Sequence, residues 1–171
     1  MMKKNLSLLL LLSLGLFNAC KPGSDDQTQK PQQIQQTTSE NYEVIADTIT
    51  YSVLLKNDDP YNTWQEDALK DLNREALTNY LFDAVYKNKL KPIDYFSEEA
   101  LSIADVKALE AQEEFSRDRV ARAQFEEIWY LAPEMNKMQK EVYSIMIAYE
   151  VYNDSGKIKG YKPAFKVYLN Q

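Results

Sequence analysis

Few residues in this sequence could make or break bonds. There is no histidine, and the single cysteine among the 171 residues is Cys20, at the end of an apolar run. Without histidine the chain cannot build a Ser-His-Asp triad or a Cys-His pair. Zinc sites that need nitrogen or sulfur ligands are excluded in the same way. The four glycines form no phosphate-binding loop, so we expect neither catalysis nor a bound cofactor.

Carboxylates are the remaining candidates for acid–base or metal chemistry. Glu126 and Glu127 are adjacent in a predicted strand, where successive side chains point to opposite faces, so we do not expect them to converge on one substrate. Asn57, Asp58 and Asp59 lack the alternating ligands and central glycine of a calcium loop. We therefore expect all these carboxylates to be solvated charges.

Aromatic residues are the other conspicuous group, with twelve tyrosines in the chain. For each aromatic residue near the C-terminus, core packing is the alternative to a role in binding. Aromatic side chains are enriched where proteins bind partners. The sequence offers these candidates for a partner surface: Trp129, Tyr130, Tyr161 and Tyr168.

The position of Cys20 predicts how the chain is attached. Lys3 and Lys4 precede an apolar run over residues 6–17, which is too short to span a bilayer. A basic start, a short apolar stretch and a small residue, Ala19, describe a secretory signal over residues 1–19. The stretch resembles a bacterial lipoprotein signal, in which the cysteine receives acyl chains. The alternative is an ordinary signal peptide cut near Ala19, which would leave a free thiol at Cys20.

The charge of the chain excludes some partners. Cleavage after residue 19 would remove two lysines and no acidic residue, leaving 18 basic against 26 acidic residues. Nucleic acid binding needs a concentrated basic surface, and so does electrostatic binding to anionic lipid. We therefore expect membrane attachment through the acyl chains alone.

The composition divides the rest into a tether and one domain. Residues 20–41 are rich in glutamine and threonine and hold one lone apolar residue, Ile34, after the cysteine. Such a segment cannot bury enough apolar surface to offset its ordering entropy, so we predict a disordered tether. Residues 42–171 have a globular composition and are long enough for one domain.

The apolar periodicity of the domain predicts an α+β fold. Period-two patterns predict strands over residues 44–55, 124–131, 140–152 and 164–169, and apolar residues on both faces of the third indicate a central strand. A helical stripe predicts a helix over 64–88 that Asn73 can interrupt, starting at a Thr63–Glu66 capping box. A second capping box, Ser102 with Asp105, opens a helix to about residue 115. The predicted assembly is an antiparallel sheet of about four strands packed by two helices.

The order of these pieces resembles the N protein of the gliding-motility and type IX secretion machinery of Bacteroidetes, the GldN/PorN family. The matching stretches are residues 81–90, 94–96, 127–129 and 161–168. The resemblance implies a non-enzymatic building block, because family members form a periplasmic ring with an outer-membrane lipoprotein partner. Family members are usually soluble, so Cys20 implies a lipoprotein paralogue.

Two functional hypotheses follow from these observations, with an enzyme that uses carboxylates alone as a third and least favoured one. The first is an outer-membrane lipoprotein, on the periplasmic face or the cell surface, that acts as a scaffold or assembly component through protein–protein contact. Asp25 and Asp26 resemble a surface-export signal. The second is a lipoprotein that binds a glycan or a peptide, with Trp129 and the tyrosines as stacking surfaces. An uncovered sheet edge would favour the first, and a concave aromatic pocket the second.

Overall fold

An antiparallel sheet organises the protein, with the strands in the spatial order β1-β3-β4-β5-β2. The computed structural model describes residues 42–134 and 137–169, which belong to one compact unit. The predicted signal peptide, Cys20 and the tether lie outside the described residues. The strands within the described ranges are β1 (Glu43–Leu54), β2 (Pro92–Ile93), β3 (Val120–Leu131), β4 (Met138–Tyr152) and β5 (Ile158–Tyr168). The helices there are α1 (Thr63–Leu69), α2 (Arg74–Tyr86) and α3 (Ile103–Glu110), with a 3-10 turn at Arg117–Arg119.

The predicted α+β architecture is confirmed, with two differences in the count of elements. The described residues hold five strands where about four were expected, because Pro92–Ile93 adds a short strand beside Val167 and Lys166 of β5. They also hold three helices, since Asn73 separates α1 from α2. The Asn73 side chain accepts a hydrogen bond from the Ala76 amide at 2.9 Å, so it starts a new helix instead of continuing the old one.

The strand β4 is central, as its two apolar faces predict. It pairs with β3 on one side and β5 on the other, and it is buried continuously over residues 144–150. The turn between β4 and β5 closes through a hydrogen bond from the Gly156 amide to the Asn153 carbonyl. Gly156 has a φ of 74°, which glycine adopts without steric cost.

Helix α2 covers one face of this sheet and forms the apolar core with it. Leu81, Phe82 and Val85 are its buried apolar anchors. The Phe82 ring meets the Phe165 ring edge-on, with 5.0 Å between centroids. Phe115 then packs edge-on against Tyr149 at 4.9 Å. Edge-to-face pairs of this kind are favourable beyond the area they bury. The first joins α2 to β5, and the second joins the segment after α3 to β4.

Of the two predicted capping boxes, the structure contains one and not the other. The Ser102–Asp105 capping box is confirmed, with both reciprocal hydrogen bonds present. The Thr63–Glu66 box is wrong, because Asn62 is the N-cap and its side chain accepts from the Gln65 amide at 3.0 Å. Asparagine is a stronger N-cap than threonine, so the helix starts one residue earlier than predicted.

Candidate interaction surface

Among the described residues, strand β1 forms one edge of the sheet. Strand β1 pairs with β3 on one side, and no described strand lies along its other side. From Ile49 to Leu54 the register with β3 is continuous, opposite Glu127 to Arg122. Thr50 and Ser52, within this stretch, are exposed. This six-residue stretch, which we call the β1 window (residues 49–54), spans roughly 20 Å.

The direction of the free backbone groups follows from one hydrogen bond. The Leu55 amide donates to the Ala121 carbonyl of β3 at 2.7 Å. In an antiparallel pair, the backbone groups of every second residue face the same neighbour. Tyr51 and Val53 therefore also bond to β3. The residues whose N–H and C=O groups point away from the sheet are Thr50, Ser52 and Leu54.

The first half of β1 is less suited to pairing. The register shifts twice there, between Val44 and Ala46 and between Ala46 and Ile49. Thr48 has a φ of 59°, which is uncommon for a β-branched residue. Bulges bend and twist an edge strand out of line with a new partner. The regular edge is therefore confined to the β1 window.

The opposite edge of the sheet carries features that discourage pairing. Strand β2 covers β5 only at Lys166 and Val167. The remaining edge carries Pro163, and lysines recur along β5 and just before it, at residues 157, 159, 162 and 166. Lysine and proline on an edge strand oppose the addition of another strand. Residues 43–54 contain no lysine, arginine or proline.

A second exposed feature lies at the start of α1. Tyr61 is 91% exposed and Trp64 is 80% exposed, and none of the residues of α1 is buried. The surrounding stretch, residues 58–75, holds six acidic and two basic residues. Tyr80 and Phe96 are also largely exposed. The candidate surface chosen from the sequence contains none of these aromatic residues.

The face of the sheet opposite α2 carries charged side chains. Lys166 is 4% exposed and donates to Glu126 at 2.9 Å. Ser144 donates to the same carboxylate at 2.6 Å. The expectation that Glu126 and Glu127 are solvated charges is therefore wrong, since Glu127 is only 5% exposed and Glu126 is paired. Glu126 and Glu127 were predicted to point to opposite faces. Their contacts are consistent with this, because the two carboxylates share no hydrogen-bond partner.

Glu127 anchors a group of side chains at the far end of β3. Its carboxylate accepts from the Tyr51 hydroxyl at 2.6 Å and from Trp129 Nε1 at 2.9 Å. The Lys140 ammonium lies 3.7 Å from it and 4.1 Å from the Trp129 ring centroid. Burial raises the pKa of Glu127, but these bonds outweigh burial and hold that pKa below its usual value. The bond to Glu127, with burial, raises the pKa of Tyr51 to about 12.

A further group of charges surrounds Tyr161. Its hydroxyl donates to Asp58 at 2.9 Å, and the Arg122 guanidinium lies 4.5 Å from its ring centroid. Burial and the bond to Asp58 raise the pKa of Tyr161 to about 12, against the opposing charge of Arg122. Glu150, fully buried, pairs with Lys56 at 2.8 Å. Arg122 Nε and Glu150 Oε1 are buried atoms with no hydrogen-bond partner in the described part of the chain.

The structure places the four predicted partner residues in separate environments. All four are half-buried. Trp129 and Tyr130 are successive strand residues and point to opposite faces, and the Tyr130 hydroxyl donates to Glu141 at 3.1 Å. Tyr161 and Tyr168 lie toward opposite ends of β5, and Tyr168 packs on Tyr143 at 5.1 Å between ring centroids. The four residues therefore do not form one continuous surface.

Residues 42–134 and 137–169 contain no group of three acidic, histidine or cysteine side chains that is placed to hold a metal ion. No helix in these ranges is long and apolar enough to cross a bilayer. Comparison of the chain with protein-family models, characterised proteins and solved structures finds no match. The resemblance to the GldN/PorN family therefore stays a prediction.

Proposed function

We propose that the protein is an outer-membrane lipoprotein, anchored through Cys20, whose domain works as a scaffold or assembly component by protein–protein contact. The observation that carries this proposal is the β1 window, a regular and uncharged edge with outward backbone groups. Unpaired edges of this kind are templates for strand addition, and monomeric proteins usually block them. Among the described residues, β2, Pro163 and the lysines protect the β5 edge, and no strand lies beside the window.

The β1 window offers an added strand both backbone hydrogen bonds and apolar contacts. Each outward residue offers one donor and one acceptor, so Thr50, Ser52 and Leu54 offer about six hydrogen bonds to an extended partner segment. Val53 contacts the core while remaining half-buried, and the Tyr51 ring packs on Phe125 with 5.9 Å between centroids. A partner strand with apolar residues on that face would complete their burial.

The predicted family suggests where such contacts operate. Within this proposal the chain is a GldN/PorN-like paralogue, and its partner is an envelope protein such as a secretion-ring lipoprotein. Acyl chains on Cys20 would hold the domain at the periplasmic face or the cell surface. The proposal involves neither a cofactor nor nucleic acid.

Affinity purification of the intact lipoprotein from native membranes tests the proposal. Ser52→Lys puts a charge in the window, and Ser155→Lys, in the exposed turn after β4, is the matched control. We expect wild type and the control to retain the same envelope partners and Ser52→Lys to lose them. Retention of every partner by Ser52→Lys, or recovery of no partner by wild type, would contradict the proposal.

A glycan- or peptide-binding lipoprotein is the second candidate. The observation that favours it is the buried Arg122 Nε beside the ring of Tyr161, for which the described residues provide no hydrogen-bond partner. A ligand carboxylate could bind this guanidinium, which suits planar acceptors. Titration with oligosaccharides and short acidic peptides, followed by tryptophan fluorescence, tests this candidate. Saturable binding that Tyr161→Ala abolishes would favour it, and an unchanged signal would remove it.

A further inference from the structure

The side chains of the β1 window point to its occupant. When two windows pair antiparallel about Ser52, Tyr51 of one copy lies opposite Val53 of the other, and no charged side chain lies within residues 49–54. We infer that the window pairs with the window of a second copy of this chain, antiparallel and across a two-fold axis at Ser52. This inference rests on the proposed function and names one partner for the same surface.

The backbone groups of the two copies match in this register. Ser52 lies opposite Ser52 of the second copy, and Thr50 lies opposite Leu54 of the second copy. All of these residues have outward N–H and C=O groups, so each opposed pair exchanges two hydrogen bonds. The three pairs form about six bonds and join the two sheets into one continuous sheet. A closed two-fold contact of this kind uses the same patch on both copies.

The side chains of the two copies also match. Tyr51 lies opposite Val53 of the second copy, and the reciprocal pair repeats this contact on the core face. Aromatic and β-branched residues opposite each other stabilise antiparallel pairs. Both residues are half-buried in one copy, so the pairing covers apolar surface that the single domain leaves partly exposed.

Charge does not oppose the pairing. Residues 49–54 carry no charged side chain, so the two windows bring no like charges together. The nearest charges along the chain are Asp47 before the window and Lys56 after it. The two-fold axis turns the Asp47 end of one copy toward the Lys56 end of the other. A contact between β1 and the lysine-rich β5 edge would not close and would have to accommodate Pro163.

Anchoring strengthens a contact of this size. A six-residue strand pair is small beside a standard protein interface of about 800 Å² on each partner. Copies anchored in one membrane through Cys20 share a thin layer, which raises their effective concentration without any new contact. We therefore expect the dimer in the membrane and a much weaker association after dilution in detergent.

Disulfide trapping in intact membranes tests this register. In the proposed pair, the two Ser52 Cα atoms lie about 5.5 Å apart, within the range that a disulfide bridges. Thr50 is equally on the exposed edge, but its two copies would lie about 14 Å apart, beyond that range. Mild oxidation should convert most Ser52→Cys chains, and few Thr50→Cys chains, into a reducible dimer. Wild type, whose Cys20 is expected to be acylated, is the background.

The results of disulfide trapping and affinity purification together distinguish a failure of the two-fold pairing from a failure of the proposed function. Equal trapping of both variants, or trapping of neither, overturns the two-fold register, provided that both variants unfold at the wild-type temperature. If trapping fails while Ser52→Lys still loses other envelope partners, the proposed function stands and the second copy is not the occupant. If trapping fails and no partner depends on Ser52, both proposals fail.

Discussion

The two edges of the sheet are built differently. The β5 edge is partly covered by β2, carries Pro163 and has lysines along its length. The β1 window has an unbroken register with β3, exposed hydroxyl residues and no charge. Burying a lysine ammonium beside an added strand costs more than burying a threonine or serine hydroxyl. The difference is the reason we propose the β1 edge as the one that accepts a partner.

The two halves of β1 also differ in regularity. Two register shifts and the positive φ of Thr48 interrupt the strand before Ile49. These irregularities hinder pairing, because they misalign successive hydrogen bonds. An incoming strand is therefore expected to pair along residues 49–54, and the register that uses all three outward residues forms the most hydrogen bonds.

The largest expected effect on stability comes from the difference in burial between β5 and β1. Phe165 of β5 is 1% exposed and packs on Phe82, so Phe165→Ala should lower the free energy of unfolding by about 3–5 kcal/mol. Val53 of β1 is half-buried, and Val53→Ala should cost about 1 kcal/mol. Urea denaturation measures both. Equal losses would show that β1 is as much a core strand as β5.

The next effect separates two kinds of lysine on β5. Lys166 is buried and pairs with Glu126, so Lys166→Ala leaves a carboxylate that is only 17% exposed without its cation. The expected loss of stability is about 3 kcal/mol. Lys159, exposed on the same strand, should tolerate alanine within about 0.5 kcal/mol. Thermal denaturation of the two variants tests this, and similar midpoints would contradict it.

Alkaline pH should affect one tyrosine on each edge strand. The pKa values of Tyr51 and Tyr161 are raised to about 12, against about 10 for an unfolded tyrosine. A raised folded-state pKa contributes stability that is complete below pH 10 and lost as the pH rises toward 12. The free energy of unfolding should therefore fall steeply over this interval. A Tyr51→Phe, Tyr161→Phe double variant should show a shallower fall, and an unchanged slope would refute the assignment.

The smallest expected effect on stability belongs to the exposed lysines near the β4–β5 turn. Lys157→Thr combined with Lys159→Thr should change the free energy of unfolding by less than about 0.5 kcal/mol. The same double variant should lose solubility, because it removes charge that blocks the β5 edge. Light scattering during concentration measures this. A variant as soluble as wild type would mean that these lysines do not protect the edge.

Local patterns in the sequence predicted most of the elements. The period-two stretch over residues 44–55 corresponds to β1, and the apolar pattern on both faces of residues 140–152 identified β4 as central. Strand β2 could not be found in this way, because two residues carry no periodicity. The sequence also could not predict that β1 lies at the edge of the sheet, because this depends on its pairing with β3, about 75 residues later in the chain.

The candidate surface was harder to predict than the fold. Parity along a strand assigns a face but not an exposure, and it favoured Tyr130 and Tyr168, which are half-buried. The exposed Tyr61 and Trp64 lie at a short helix with no buried residue, where apolar spacing has no meaning. Glu127 looked solvated because its partners, Tyr51 and Lys140, come from other strands. Only the folded arrangement brings these groups together.

Amide hydrogen exchange of the full-length protein tests the central claim most directly. In dispersed protein, the outward amides of Thr50, Ser52 and Leu54 should exchange rapidly, and those of Tyr51 and Val53, bonded to β3, should exchange slowly. In the membrane-bound assembly that we propose, we predict that all five are protected. Rapid exchange of the three outward amides in both states would contradict the account, because no strand would then cover the β1 window.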